Sequence, residues 1–162
     1  MGNSNYEELK LSNRTSMVAY SIMNLILVAC YLVEVIRQSR TVGYFVVFCL
    51  FALVPYVLCL ALYMKNKGTS VLKYAISGGY AVFYLFIIFT TVSPVAYVYA
   101  FLIAVVLVSY NDIKVSAAFT GLVSLGNIIQ VAYSALSGLL SAEDAAKTEI
   151  RVASVLLFSG YL

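Results

Sequence analysis

Residues 74–111 read YAISGGYAVFYLFIIFTTVSPVAYVYAFLIAVVLVSYN, 38 positions without a charged side chain. A bilayer core about 30 Å thick takes about 20 helical residues at 1.5 Å each, so this run is too long for one crossing and right for two. The break falls at Thr90-Thr91-Val92-Ser93-Pro94. Proline there removes a backbone donor and pushes Ser93 out of the helical region, and the polar and β-branched residues before it favour a tight turn. A membrane β-barrel would alternate apolar and polar residues, whereas Phe83-Tyr84-Leu85-Phe86-Ile87-Ile88-Phe89 is apolar throughout. A lipid-embedded segment that satisfies its own backbone is a helix.

The same reading extends outward. Residues 17–36 hold one charge, Glu34, residues 41–64 hold none in 24, and 115–142 add 28 more without charge. Of 162 residues 63% are hydrophobic and 10% charged, where a soluble domain carries about 25% charged residues. Such a surface excludes a soluble catalytic domain, and the apolar content excludes disorder. The pattern predicts an all-α, polytopic transmembrane helical bundle, one integral membrane domain of about six helices. They are expected at about 16–36, 42–64, 73–92, 95–111, 115–140 and 148–162. Only 152–162 of the last is apolar, eleven residues that do not cross a bilayer, so helix 6 reads as truncated before a cytoplasmic part.

Basic residues set the expected orientation. With the N-terminus inside, Lys10, Arg14, Lys65, Lys67, Lys73 and Lys114 are inner, while Arg37, Arg40, Lys147 and Arg151 are outer. Both termini are then cytoplasmic, in a multi-pass protein of the inner (cytoplasmic) membrane. Met1-Gly2 is not a myristoylation signal, because Tyr6 stands where Ser or Thr is needed. Leu27-Val28-Ala29-Cys30 matches a bacterial lipobox, but the apolar run continues through Tyr31-Leu32-Val33 where a mature lipoprotein turns polar. It reads as a chance match, with lipidation of Cys30 the alternative. Thr41-Val42-Gly43-Tyr44-Phe45 is one residue from a potassium-channel filter, yet Phe45 occupies the fifth position, which needs glycine. A loop entering helix 2, with Tyr44 in the interfacial aromatic belt, is the expected structure.

The chemistry-bearing inventory is short. There is no histidine, the cysteines 30, 49 and 59 all sit in predicted spans, and all acids but Glu34 lie in loops or tails. No catalytic residue, metal site or cofactor is expected, and the chain is not read as an enzyme. The candidates are polar side chains at membrane depth, costly in lipid unless they face protein or water. Glu34 and Arg37, three apart on one helix face, form either an interfacial pair or part of a ligand- or proton-sensing site. Asn24, with Asn127 and Gln130 three apart in helix 5, are expected to hydrogen-bond across the bundle, as packing glue or as a pocket. Gly78-Gly79, Ala117 with Gly121, and Ser134 with Gly138 allow close helix approach, and Pro55 predicts a kink in helix 2.

The stretch 31–45 (YLVEVIRQSRTVGYF), the Lys65-Asn66-Lys67 connector, Phe89-Thr90-Thr91-Val92-Ser93-Pro94 and Tyr110-Asn111-Asp112 resemble the multi-helix membrane sensor region of a group of bacterial methyl-accepting chemotaxis proteins. The resemblance implies an N-terminal bundle of about six membrane helices that relays a stimulus through helix 6 to a cytoplasmic coiled coil. It further implies a homodimer through that coiled coil, with a chemotaxis kinase and adaptor as partners, besides the lipid bilayer and with no nucleic acid. Alternatives are a small-solute transporter or substrate-binding membrane subunit, the sensor bundle of a histidine kinase or cyclic-nucleotide synthase, and a purely structural membrane subunit.

Overall fold

The computed structural model describes residues 2–90, 98–137, 148–150, 152–155 and 157, and among them there is no strand. The first helix, α1 (Gly2–Ile36), is 35 residues long, against an expected start near residue 16. Side-chain contacts explain the extra turns. Lys10 pairs with Glu7 at 3.1 Å on the same face, and Asn13 Nδ2 donates to the carbonyls of Lys67 at 2.8 Å and Thr69 at 3.0 Å. The Tyr6 ring lies so close to Gly68 that a Cβ on Gly68 would sit 2.1 Å from it. At 1.5 Å per residue α1 is about 50 Å long, so its charged first turns project beyond a hydrocarbon layer of about 30 Å.

The C-terminus of α1 is closed by a Schellman turn. The Ser39 N–H donates to the Glu34 carbonyl at 3.0 Å and the Gln38 N–H to that of Val35 at 2.9 Å, with Gln38 at φ 59°. That left-handed position is the usual place of glycine. Gln38→Gly is therefore expected to raise stability by about 0.5–1 kcal/mol, read as a higher melting temperature in detergent.

Local capping also sets the other boundaries. The Thr41 hydroxyl accepts the Tyr44 N–H at 3.2 Å and starts α2 (Val42–Lys65), which continues through Pro55 and ends where the Asn66 N–H meets the Leu62 carbonyl at 3.1 Å. Thr69 Oγ1 accepts the Val71 N–H at 3.3 Å, so α3 (Val71–Thr90) begins two residues before its expected start. The fourth helix, α4 (Val98–Val108), stops short of the expected 111 because Ser109 Oγ turns back onto the Val106 carbonyl and Asn111 adopts φ 48°. Asp112 caps α5 (Ile113–Leu136) by accepting the N–H groups of Lys114 and Val115, which starts it at 113 rather than 115. Helix α5 runs to Leu136 with Ser137 as its C-cap, and residues 138–140, where its expected end falls, lie outside the described residues. The described part of the last segment, 148–150, 152–155 and 157, is helical. The expected break at 91–94, the loop 141–147, Gly138, Lys147 and Arg151 lie outside the described residues.

Helix α3 is the axis of the bundle, packing on α2, α5 and α4, with Leu72, Ile76, Tyr80, Phe83, Tyr84, Ile87 and Ile88 buried. Glycine makes two of these contacts close. A Cβ on Gly79 would lie 2.7 Å from Pro55 Cβ on α2, and one on Gly126 of α5 would lie 2.3 Å from Leu85 Cδ2. Gly78 and Gly121 face open space instead. The surface is apolar where a soluble protein would be polar: Leu25 is 72% exposed, Met64 73% and Leu136 90%, while Asn13, Ser16, Asn24 and Asn127 are buried. Four helices, Asn5–Ile36, Val42–Lys65, Val71–Thr90 and Ile113–Leu136, are long and apolar enough to cross a membrane. An outward apolar face around a core that holds the few polar side chains is the arrangement that lipid stabilises and water does not.

Candidate functional site

Along α1 the buried positions are 13, 16, 17, 20, 24, 27 and 31, a spacing of three and four that turns one narrow seam toward the neighbouring helices. Polar groups occupy the middle of that seam. Ser21 Oγ bonds the Tyr56 hydroxyl of α2 at 2.8 Å, and the Tyr20 ring packs edge-on against Tyr56 at 5.5 Å and Tyr80 at 6.0 Å. The Tyr80 hydroxyl donates to the Tyr99 carbonyl of α4 at 3.3 Å. Deeper along α3, the Tyr84 hydroxyl accepts from Asn127 Nδ2 at 2.7 Å, and the same amide reaches the Val123 carbonyl.

Asn13 Oδ1, the Tyr110 hydroxyl and Thr120 Oγ1 are buried without a partner among the described residues, and at Asn24 both ends of the amide are. The Asn24 side chain is 3% exposed, yet neither its amide nitrogen nor its oxygen has a hydrogen-bond partner among the described residues. The Tyr20 hydroxyl, one turn earlier, is close enough to feel the amide but does not meet it in hydrogen-bond geometry. Of the three amides expected to bond across the bundle, Asn127 does so through Tyr84, Gln130 donates to Ser134 within its own helix at 3.1 Å, and Asn24 is held apart from both.

The seam continues as a file of nine aromatic rings: Phe51, Phe86, Tyr44, Tyr31, Phe48, Phe83, Tyr80, Tyr20 and Tyr56. Successive centroids are separated by 3.8 Å at the closest, between Tyr31 and Phe48, and 6.2 Å at the widest, between Tyr31 and Tyr44. Such pairs add about 0.5–1.5 kcal/mol each beyond area burial, so they lock α1, α2 and α3 together.

At one end of the bundle Arg40 lies over the Tyr44 ring at 4.6 Å, donates to the Thr90 carbonyl at 3.3 Å and meets Glu34 at 3.5 Å. The Tyr44 hydroxyl bonds Thr90 Oγ1 at 2.8 Å. The carboxylate of Glu34 is therefore met by Arg40 and not by the expected Arg37. Helix α1 ends at Ile36, and the left-handed turn at Gln38 sends the chain back over its own last turn, which returns Arg40 to Glu34 while Arg37 stays exposed. Thr41 to Phe45 forms a helix cap and first turn, as expected of a loop entering helix 2, and Tyr44 is stacked between Tyr31 and Phe86.

The opposite end is tied by Asn13, by Ser12 Oγ donating to the Ser109 carbonyl at 3.0 Å, and by an ion pair between Lys73 and Asp112. The Lys73 hydrogen bond holds the Asp112 carboxyl below its ordinary value of 3.8, aided by the backbone N–H groups it caps. A carboxylate whose folded pKa is lowered stabilises the fold above its unfolded pKa, and that contribution is lost as pH falls through the lowered folded value. The melting temperature is expected to drop on acidification below about pH 4 in the parent chain. Asp112→Asn, lower at neutral pH, should flatten that acid limb.

No group of three His, Cys, Asp or Glu side chains that could hold a metal is gathered among the described residues. The three cysteines are free, with Cys30 exposed, Cys49 half-buried and Cys59 buried. What the arrangement offers is polar contact at membrane depth. Asn13, Ser16, Arg40 and Tyr84 are among the participants that sequence reasoning did not single out, as are Ser21, Tyr20, Tyr56 and Tyr80. The first two continue the three-and-four spacing of α1 upstream of its apolar stretch, a signal present in the sequence. No family profile, curated protein or solved structure matches this chain.

Proposed function

We propose that the chain is the membrane sensor and transducer region of a receptor of the methyl-accepting chemotaxis type, with its stimulus acting between the helices. The observation that carries this reading is Asn24, an amide buried in the seam whose two polar atoms meet no hydrogen-bond partner among the described residues. A buried group left unsatisfied in a low-dielectric interior costs about 1–3 kcal/mol, so the packing around it is poised for a second arrangement or an incoming polar group that satisfies it. The connectors 37–41, 66–70 and 109–112 are short turns, too small to form a soluble ligand-binding domain at those places.

The resemblance segments support the same reading. Residues 31–45 and 89–90 converge on the Glu34, Arg40, Tyr44 and Thr90 cluster, while at the other end the Lys65 connector is tied to α1 by Asn13 and Asp112 to α3 by Lys73. That second end also collects Lys10, Arg14, Lys65, Lys67, Lys73 and Lys114, and we take it as cytoplasmic. A shift in the last helical segment, of which 148–150, 152–155 and 157 are described, would then reach an attached output domain.

Joining residues 1–162 to the cytoplasmic half of a chemotaxis receptor tests the proposal. Kinase output from the chimera is expected to differ between the parent and Asn24→Leu, and between the parent and Glu34→Gln. Identical output from all three, or a reporter after residue 162 found outside the cell, would overturn it.

A further inference from the structure

We infer that the cleft between α2 and α3 is a binding site for one acyl chain of an anionic glycerophospholipid, with the lipid phosphate held at Lys65. The cleft is an open groove of about 580 Å³ walled by Pro55, Leu58, Ala61, Gly78 and Val82, with Lys65 at its rim. Its shape follows from local chemistry. The two helices touch where Gly79 meets Pro55, and small residues beside that contact leave room: Gly78 projects no side chain, and a Cβ added there would meet nothing within 4 Å.

Length and charge identify the occupant. From Pro55 to Lys65 the wall follows ten residues of α2, about 15 Å at 1.5 Å per residue. That is half of a hydrocarbon core of about 30 Å, the depth of a single leaflet. The site therefore begins at the membrane boundary and ends near the midplane, the dimensions of one lipid tail entering from its own headgroup region. The rim supplies the complementary charge. Lys65 is the last residue of α2, Lys67 follows two residues later, and the 65–73 connector contains no acid. Lys73 is already engaged by Asp112, which leaves Lys65 as the cation at the mouth of the cleft. A lysine near an anionic headgroup contributes about 1 kcal/mol. The site does not depend on the sensor reading, because lipid retention is measured without any signalling output.

The full chain is purified in detergent, mixed with phosphatidylglycerol or phosphatidylcholine, and the lipid retained after gel filtration is counted by native mass spectrometry. The parent chain is expected to retain one phosphatidylglycerol, with about a fivefold preference over phosphatidylcholine. Lys65→Gln should remove that preference while phosphatidylcholine is still retained. Gly78→Leu fills the cleft and should abolish retention of both at an unchanged helical circular dichroism spectrum. Should Gly78→Leu fail to fold, Val82→Phe fills the same cleft from the wall nearer the midplane and is expected to abolish retention in its place. Retention of phosphatidylglycerol by the folded filling variant at the parent level, or equal retention of the two lipids by the parent, would overturn the site.

Discussion

Replacing Gly79 with valine is expected to lower stability by about 1–3 kcal/mol or more, while alanine at the adjacent Gly78 leaves stability equal or slightly higher. The two glycines are neighbours in sequence and opposite in surroundings. A Cβ at 79 would come 2.7 Å from Pro55 Cβ, an atom of a ring fixed to the α2 backbone, so relief requires the helices to move apart. Moving them strains the ring contacts that join α2 to α3, among them Phe48 with Phe83 at 5.3 Å and Phe51 with Phe86 at 4.4 Å. At 78 the new methyl group enters the cleft and removes the helix cost of glycine, about 1 kcal/mol. Thermal melts of the two variants in one detergent separate the outcomes. Equal destabilisation by both would mean that α2 and α3 do not meet at Pro55.

The spans themselves are legible in the sequence because charge is excluded from lipid, so the intervals between charged residues measure membrane thickness directly. The all-α class and the placement of α2 follow from that rule alone. The extra turns of α1 do not. They depend on Asn13 reaching the 67–69 connector and Tyr6 reaching Gly68, contacts between segments more than fifty residues apart. The partner of Glu34 is hidden for a related reason: helical spacing favours Arg37 only if the helix continues, and the turn at Gln38 ends it. For the candidate site, Asn24 and Asn127 stand out as polar residues in apolar runs. What cannot be read from one chain of letters is that Tyr84 satisfies Asn127 while no described residue satisfies Asn24. Close glycine contacts divide in the same way, since Gly79 and Gly126 meet neighbours and Gly78 and Gly121 do not.

Asn24→Leu and Asn127→Leu are expected to change stability in opposite directions. Leucine keeps the branching of asparagine with bulkier methyl tips, so both substitutions carry a similar packing cost and differ mainly in the polar bonds they remove. At 24 the parent amide lacks partners among the described residues, and its removal should stabilise the bundle by about 1–3 kcal/mol. At 127 the amide donates to Tyr84 and to the Val123 carbonyl, and removing it deprives a buried tyrosine hydroxyl of that bond, at a cost of about 1–2 kcal/mol. Melting temperatures in detergent and again in lipid nanodiscs decide the matter. If the seam is a switch, the stabilised Asn24→Leu bundle is also held in one packing, because the gain favours the arrangement seen here over any that satisfies the amide. Loss of kinase response together with a raised melting temperature would connect the two. Destabilisation by Asn24→Leu as large as that by Asn127→Leu would show that the amide is bonded in the native bilayer, and the switch would have to be sought at Glu34 and Arg40 instead.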